Sequence, residues 1–154
     1  MDTIWEQSGW ALPSSVTAVR LGTRLLTAAL LGAAVGFDRE TQRRAAGLRT
    51  HMVVSLGAAT FVMLPMEFDA TASDLAQTVK GIATGVGFLG AGAILKRAAE
   101  GEIRGLTTAG SIWVTAAVGM AAGAEQPWLA LIAVSLSLTV LFVLGRLERN
   151  HRGR

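Results

Sequence analysis

Apolar positions along this chain gather into five long windows, each closed by a short polar or charged stretch. The windows cover about residues 16–37, 48–66, 75–95, 106–124 and 127–145. A helix crossing a hydrocarbon layer ~30 Å thick needs ~20 mostly apolar residues at ~1.5 Å each. Every window is close to that length. The pattern therefore predicts an all-α membrane protein, one domain over residues 1–154 built as a bundle of about five transmembrane helices. Two local signals agree: Pro127 opens the fifth window, where its missing N–H costs little, and Thr71 and Asp74 are spaced as a capping pair just ahead of the third.

The stretches between windows alternate in sign. Arg39, Arg43 and Arg44 lie between the first and second windows with Arg49 at the start of the second, Lys96, Arg97 and Arg104 between the third and fourth, and Arg146, Arg149, Arg152 and Arg154 in the tail. The intervening stretches hold Glu67, Asp69, Asp74 and Glu125, and the N-terminus holds Asp2 and Glu6. Basic loops stay cytoplasmic, so the N-terminus is expected outside and the C-terminus inside. Arg20, Arg24 and Lys80 fall near the outer ends of the first and third windows, where they are expected to snorkel or to pair between helices. Trp10 and Trp128 sit at the same outer boundary, as an aromatic belt would place them.

Composition narrows the class further. The chain is 51% hydrophobic and 16% charged, where a soluble domain carries about 25% charge. It has no cysteine, which excludes disulfides and thiolate chemistry. The net charge of +3 sits in short loops rather than along a helix face, which argues against nucleic acid. The acidic first ten residues lack the positive region of a cleavable signal peptide.

Small residues recur four apart at Gly32 and Gly36, Gly81 and Gly85, and Gly119 and Gly123, with Ala83, Gly87 and Ala91 as a parallel stripe. This spacing lets helix backbones approach closely, replacing the hydrophobic drive that lipid removes. The first four helices are expected to form a tight bundle, with the Leu/Val-rich fifth at the lipid-facing edge; the stripes could equally join two copies in a homodimer. Gly90 and Gly92 bring the third window to five glycines between residues 81 and 92, which fits either plain packing or a helix that bends. The run Gly85-Val86-Gly87-Phe88-Leu89-Gly90 spells a dinucleotide fingerprint, but no strand precedes it, so the nucleotide reading fails.

Several motifs carry a resemblance. Gly36-Phe37-Asp38-Arg39-Glu40, Ala46-Gly47-Leu48-Arg49-Thr50-His51, the glycine run 85–92, and Arg104-Gly105-Leu106-Thr107-Thr108-Ala109 with Trp113 beyond it resemble the MgtC/SapB family of bacterial inner-membrane proteins, in its short form of a membrane domain alone. Asp38 stands where that family usually has Glu, and Gly110 where Ala is expected. The resemblance implies a role in growth under magnesium limitation and in virulence or survival inside host cells. It also implies contact with another membrane complex, the F-type ATP synthase among the candidates.

The polar motif residues all fall on the expected cytoplasmic side. Asp38, Arg39 and Glu40 end the first helix, Arg49, Thr50 and His51 begin the second, and Arg104, Thr107 and Thr108 begin the fourth. Three roles are open for this layer. Asp38 and Glu40 could pair with Arg49 or Arg104 and pin the helix ends. The same two carboxylates, with waters, could hold Mg²⁺. The helix N-termini and arginines could capture an anion. His51 titrates near neutrality and could sense acidity, or simply be hydrogen-bonded. No catalytic arrangement stands in a suitable context, so a non-enzymatic regulator is expected, with a small Mg²⁺ transporter or channel as the alternative and a purely structural oligomer as a third reading.

Overall fold

Five α-helices form among the residues described, 13–98 and 105–152, in a computed structural model. They are α1 (Ser15–Thr41), α2 (Leu48–Met66), α3 (Ala72–Ala98), α4 (Leu106–Gly123) and α5 (Pro127–Arg152). α1, α3 and α5 overrun their apolar windows, because backbone hydrogen bonding continues through charged turns once a helix has started. α1 starts at Ser14, whose hydroxyl accepts the Thr17 N–H at 3.2 Å. The Thr71–Asp74 pair closes the start of α3: the carboxylate accepts from the Thr71 N–H at 2.9 Å and from its hydroxyl at 2.7 Å. α3 is one uninterrupted helix despite its glycines.

α2 lies between α1 and α4, and glycine makes both contacts possible. A Cβ on Gly32 would come within 2.8 Å of the His51 carbonyl, and one on Gly36 within 2.7 Å of the Leu48 Cα. On the other side, a Cβ on Gly119 would overlap the Ser55 carbonyl, and one on Gly123 would reach 2.6 Å from that of Ala59. Two glycine pairs spaced four apart thus seat α1 and α4 on the backbone of α2. The Ser55 hydroxyl tightens the first contact by donating to the Ala28 carbonyl at 2.7 Å.

The interior is correspondingly small-grained. Ala28, Ala58, Ala59, Ala116, Ala122 and Ala130 are buried, whereas Leu30, Phe37, Phe61, Phe88, Leu136 and Val140 face outward. Small residues inside and large apolar residues outside suit a bundle solvated by lipid. α1, α2 and α4 are long and apolar enough to cross a membrane by length and composition, and α5 contributes a shorter apolar stretch, Pro127–Val143.

The Leu/Val-rich α5 lies at the edge of the bundle, as the sequence suggests, with Trp128, Leu129, Ile132 and Leu136 exposed. α5 packs on α4 and α1, with Ala130 and Val134 buried in the main cluster. α3, expected inside a tight bundle of the first four helices, is peripheral as well. It touches α4 closely and α2 loosely, and among the described residues it does not meet α1 or α5. Cβ atoms on Gly81, Gly85, Gly87 and Gly92 would find nothing of this chain within 4 Å, so these glycines do not pack the bundle; Gly90 alone of the series meets a neighbour, Ala109. An apolar groove of about 560 Å³ separates α3 from α2, lined by Val53, Gly57, Phe61, Gly81 and Gly85 among others.

Candidate functional site: two polar layers

Polar side chains gather at both ends of the bundle. At one end the last turn of α1 meets the first turns of α2 and α4. Glu40 is exposed, and its Oε2 accepts the Leu48 N–H at 2.7 Å. This supplies the cap that Gly47 cannot. Asp38 is half-buried, and both its oxygens accept from Gln42 Nε2, at 3.0 and 2.9 Å. The two carboxylates therefore do not converge, as positions two apart on a helix face different ways. Among the described residues each acid keeps its own partner, and neither pairs with Arg49, which is exposed.

His51 is fully buried. Its Nδ1–H donates to the Gly47 carbonyl at 2.8 Å, which fixes that nitrogen as the protonated one, and Nε2 lies 3.2 Å from Ser111 Oγ. Ser111 Oγ is also 2.8 Å from the Thr108 carbonyl, to which it donates, so with Nδ1 protonated the Nε2–Oγ approach is a polar contact that marks where α2 meets the start of α4. Thr108 is buried while Thr50 and Thr107 are exposed. α4 starts at Gly105 with φ +100°, a left-handed conformation suited to glycine, in a spot where a Cβ would also come within 2.7 Å of the Ala93 carbonyl. Arg104 lies outside the described residues, as do Trp10 and the first residues of the chain.

Arg39 is the exception to this pairing. Its side chain is 1% exposed, and its Nε and Nη2 have no hydrogen-bond partner. Nη1 lies 3.8 Å from Asp38 Oδ2, beyond hydrogen-bond reach, and that carboxylate is already engaged by Gln42.

The opposite end holds a cluster whose members the sequence placed near the outer boundary without assembling them. Arg24 is 7% exposed; it donates from Nη1 to Glu125 Oε1 at 3.1 Å and from Nη2 to the Gly123 carbonyl. Arg20 donates to Glu67 Oε1 at 2.9 Å. Two arginines one turn apart thus bind the carboxylates that follow α2 and α4, and Arg24 also takes a terminal α4 carbonyl, as a cation at a helix C-terminus should. The sequence signal was the coincidence of an i, i+4 arginine pair with one glutamate in each outer loop. The buried hydroxyls Ser55, Ser111 and Thr115 carried no comparable signal.

Comparison with known proteins adds relatives. The profile of the MgtC family matches residues 25–150. The chain is 43% identical over 140 residues to the protein SrpB of Synechococcus elongatus, covering 84% of this chain and 77% of SrpB. It is 38% identical over 131 residues to YhiD of Escherichia coli K12, whose name proposes magnesium transport, covering 80% of this chain and 60% of YhiD. To the protein MgtC of Salmonella typhimurium it is 40% identical over 122 residues, covering 78% of this chain and half (50%) of that relative. No solved structure is a significant match.

Proposed function

The chain belongs to the MgtC family, and we propose that it is a non-enzymatic, multi-pass protein of the bacterial inner membrane that supports adaptation to magnesium limitation and survival inside host cells. It acts through helix contacts with another membrane complex, and the membrane sector of the F-type ATP synthase is the first partner to test. The magnesium link is supported by the name of the YhiD relative. The N-terminus lies outside and the C-terminus inside, on the asymmetry of Lys and Arg between loops.

The mode of action rests on α3. Its glycines at 81, 85, 87 and 92 cost helix stability yet seat nothing of this chain. The same spacing in α1 and α4 admits a backbone at close range, so the face offered by α3 is shaped to receive a helix.

The test is a pull-down from native membranes, with and without magnesium limitation, comparing the wild type with Gly81→Leu/Gly85→Leu. Recovery of one membrane complex by the wild type and its loss in the variant is expected, together with poor growth of the variant at low Mg²⁺. If the wild type recovers only copies of itself, the partner reading fails and a homo-oligomer takes its place.

Magnesium transport is the second reading, favoured by the polar residues buried between α2 and α4. Against it, the buried polar groups between α2 and α4 are neutral hydroxyls and the imidazole of His51, and no carboxylate is buried among the described residues. Mg²⁺ flux into proteoliposomes that is lost in Asp38→Asn would reinstate it.

A further inference from the structure

Arg20, Arg24 and Lys80 sit within helices at the end of the bundle where α2 gives way to α3, and the fold treats them unequally. Arg20 and Arg24 are neutralised inside the chain, by Glu67 at 2.9 Å and Glu125 at 3.1 Å. Lys80 is exposed, and among the described residues its ammonium has neither an ion-pair nor a hydrogen-bond partner. It stands about 12 Å along α3 from the start at Ala72. A charge at such a depth is costly against lipid, and charged groups in spans turn toward protein or water. Gln77, about 60° from Lys80 around the helix, is also exposed and leaves its amide without a partner in the chain.

The angle of Lys80 around α3 fixes the side concerned. Val86 and Gly90, which are buried toward α4, lie about 120° and 80° from it in one direction. Gly81 and Gly85, which line the groove toward α2, lie about 100° and 140° from it in the other. Lys80 therefore points away from both neighbours of α3. Its own side continues through Ala76, Ala83, Gly87 and Ala91, all within about 60°. A Cβ on Gly87 would find nothing of this chain within 4 Å. Small residues below an unpaired cation allow a second backbone to come close while its side chain meets the charge.

The charge selects the occupant. A second copy joined about a twofold axis along the membrane normal would set Lys80 against Lys80 at one depth, like against like. A carboxylate neutralises the ammonium, and a charge-assisted bond is strengthened where water is scarce. We propose that the Lys80 side of α3 seats a spanning helix of another membrane protein, with a carboxylate of that helix on the Lys80 ammonium and its small residues against Ala83, Gly87 and Ala91. This surface lies apart from the groove that Gly81 and Gly85 line, so it goes beyond the regulatory reading above and can fail without it.

Energy transfer in phosphatidylcholine vesicles at neutral pH tests the proposal. The chain carries a label on a single thiol introduced at Phe68, and the probe is a synthetic Leu/Ala spanning peptide with one G-x-x-x-G stripe and a Glu at the depth of Lys80. Transfer to the Glu peptide is expected with the wild type, and most of it is lost when that Glu is replaced by Gln. Lys80→Gln abolishes the preference for Glu, Lys80→Arg keeps it, and Gly87→Leu weakens transfer to both peptides. All three variants keep the wild-type thermal midpoint, because neither position touches the bundle. Equal transfer to the two peptides, or an undiminished preference for Glu in Lys80→Gln, overturns the proposal and leaves the lysine to lipid phosphates. Transfer between two labelled copies of the chain that exceeds transfer to the Glu peptide and is lost in Gly87→Leu gives the surface to a second copy and overturns it as well.

Discussion

Gly36→Ala tests the physical basis of the bundle, because one methyl group meets backbone rather than a side chain that can turn away. The added carbon would sit 2.7 Å from the Leu48 Cα and 3.0 Å from its carbonyl oxygen. Carbon atoms rest about 3.5–4.0 Å apart, so the end of α1 must withdraw by roughly 1 Å. A gap of that size forfeits about a quarter to a half of each contact along the seam, including the fit around His51. Overpacking of this kind costs about 1–3 kcal/mol. The glycine-to-alanine gain in helix propensity, about 1 kcal/mol, partly hides the loss. Gly85→Ala is therefore the control: it has the same propensity gain with nothing within 4 Å. The contrast between the two is the full 1–3 kcal/mol, at about 2–4 °C per kcal/mol for a chain of this size. Midpoints in detergent would show Gly36→Ala below Gly85→Ala, with Gly85→Ala at or above wild type. Equal midpoints would refute the claim that the α1–α2 seam is set by backbone contact.

Other outcomes follow from the same geometry and can be read by the same midpoints. Glu40→Ala removes the acceptor of the Leu48 N–H and costs about 0.5–2 kcal/mol, the range for a lost helix cap, whereas Arg49→Ala at an exposed position stays within about 0.5 kcal/mol. Arg24→Gln destabilises more than Arg20→Gln, because Arg24 is 7% exposed and holds a helix-terminal carbonyl while Arg20 is 51% exposed in a pair worth about 0–1 kcal/mol. The chain has no cysteine of its own, so single thiols at 43 and 69 report sidedness directly. An impermeant reagent applied to intact cells labels position 69 and spares 43; the reverse pattern would invert the proposed orientation.

Much of the fold was legible because lipid leaves the chain few options. α2 begins and ends at the window edges, 48 and 66, since charge and glycine bound it on one side and Glu67 on the other. The Thr71–Asp74 cap was readable because both partners are local. What the sequence could not distinguish was Gly81 and Gly85 from Gly119 and Gly123, which share one spacing. Which pair is buried depends on whether another backbone crosses it, and that is set by the whole bundle. The described residues of the polar layer lie at the helix ends where they were placed, but Asp38 and Glu40 do not pair with Arg49. Asp38 and Glu40 were grouped as neighbours in the chain, while the helix turned one toward Gln42 and the other toward Leu48. Arg39 was one arginine among four in the first basic stretch, and only its burial sets it apart.

The seating of α2 between two glycine seams also bears on how the chain is made. The α1 seam joins consecutive segments, so that hairpin can close as soon as both have left the ribosome and entered the bilayer. The second seam, against Ser55 and Ala59, stays open until α3 has been inserted and α4 synthesised. During that interval the small-residue side of α2 is the surface most exposed to mispairing with a nascent neighbour.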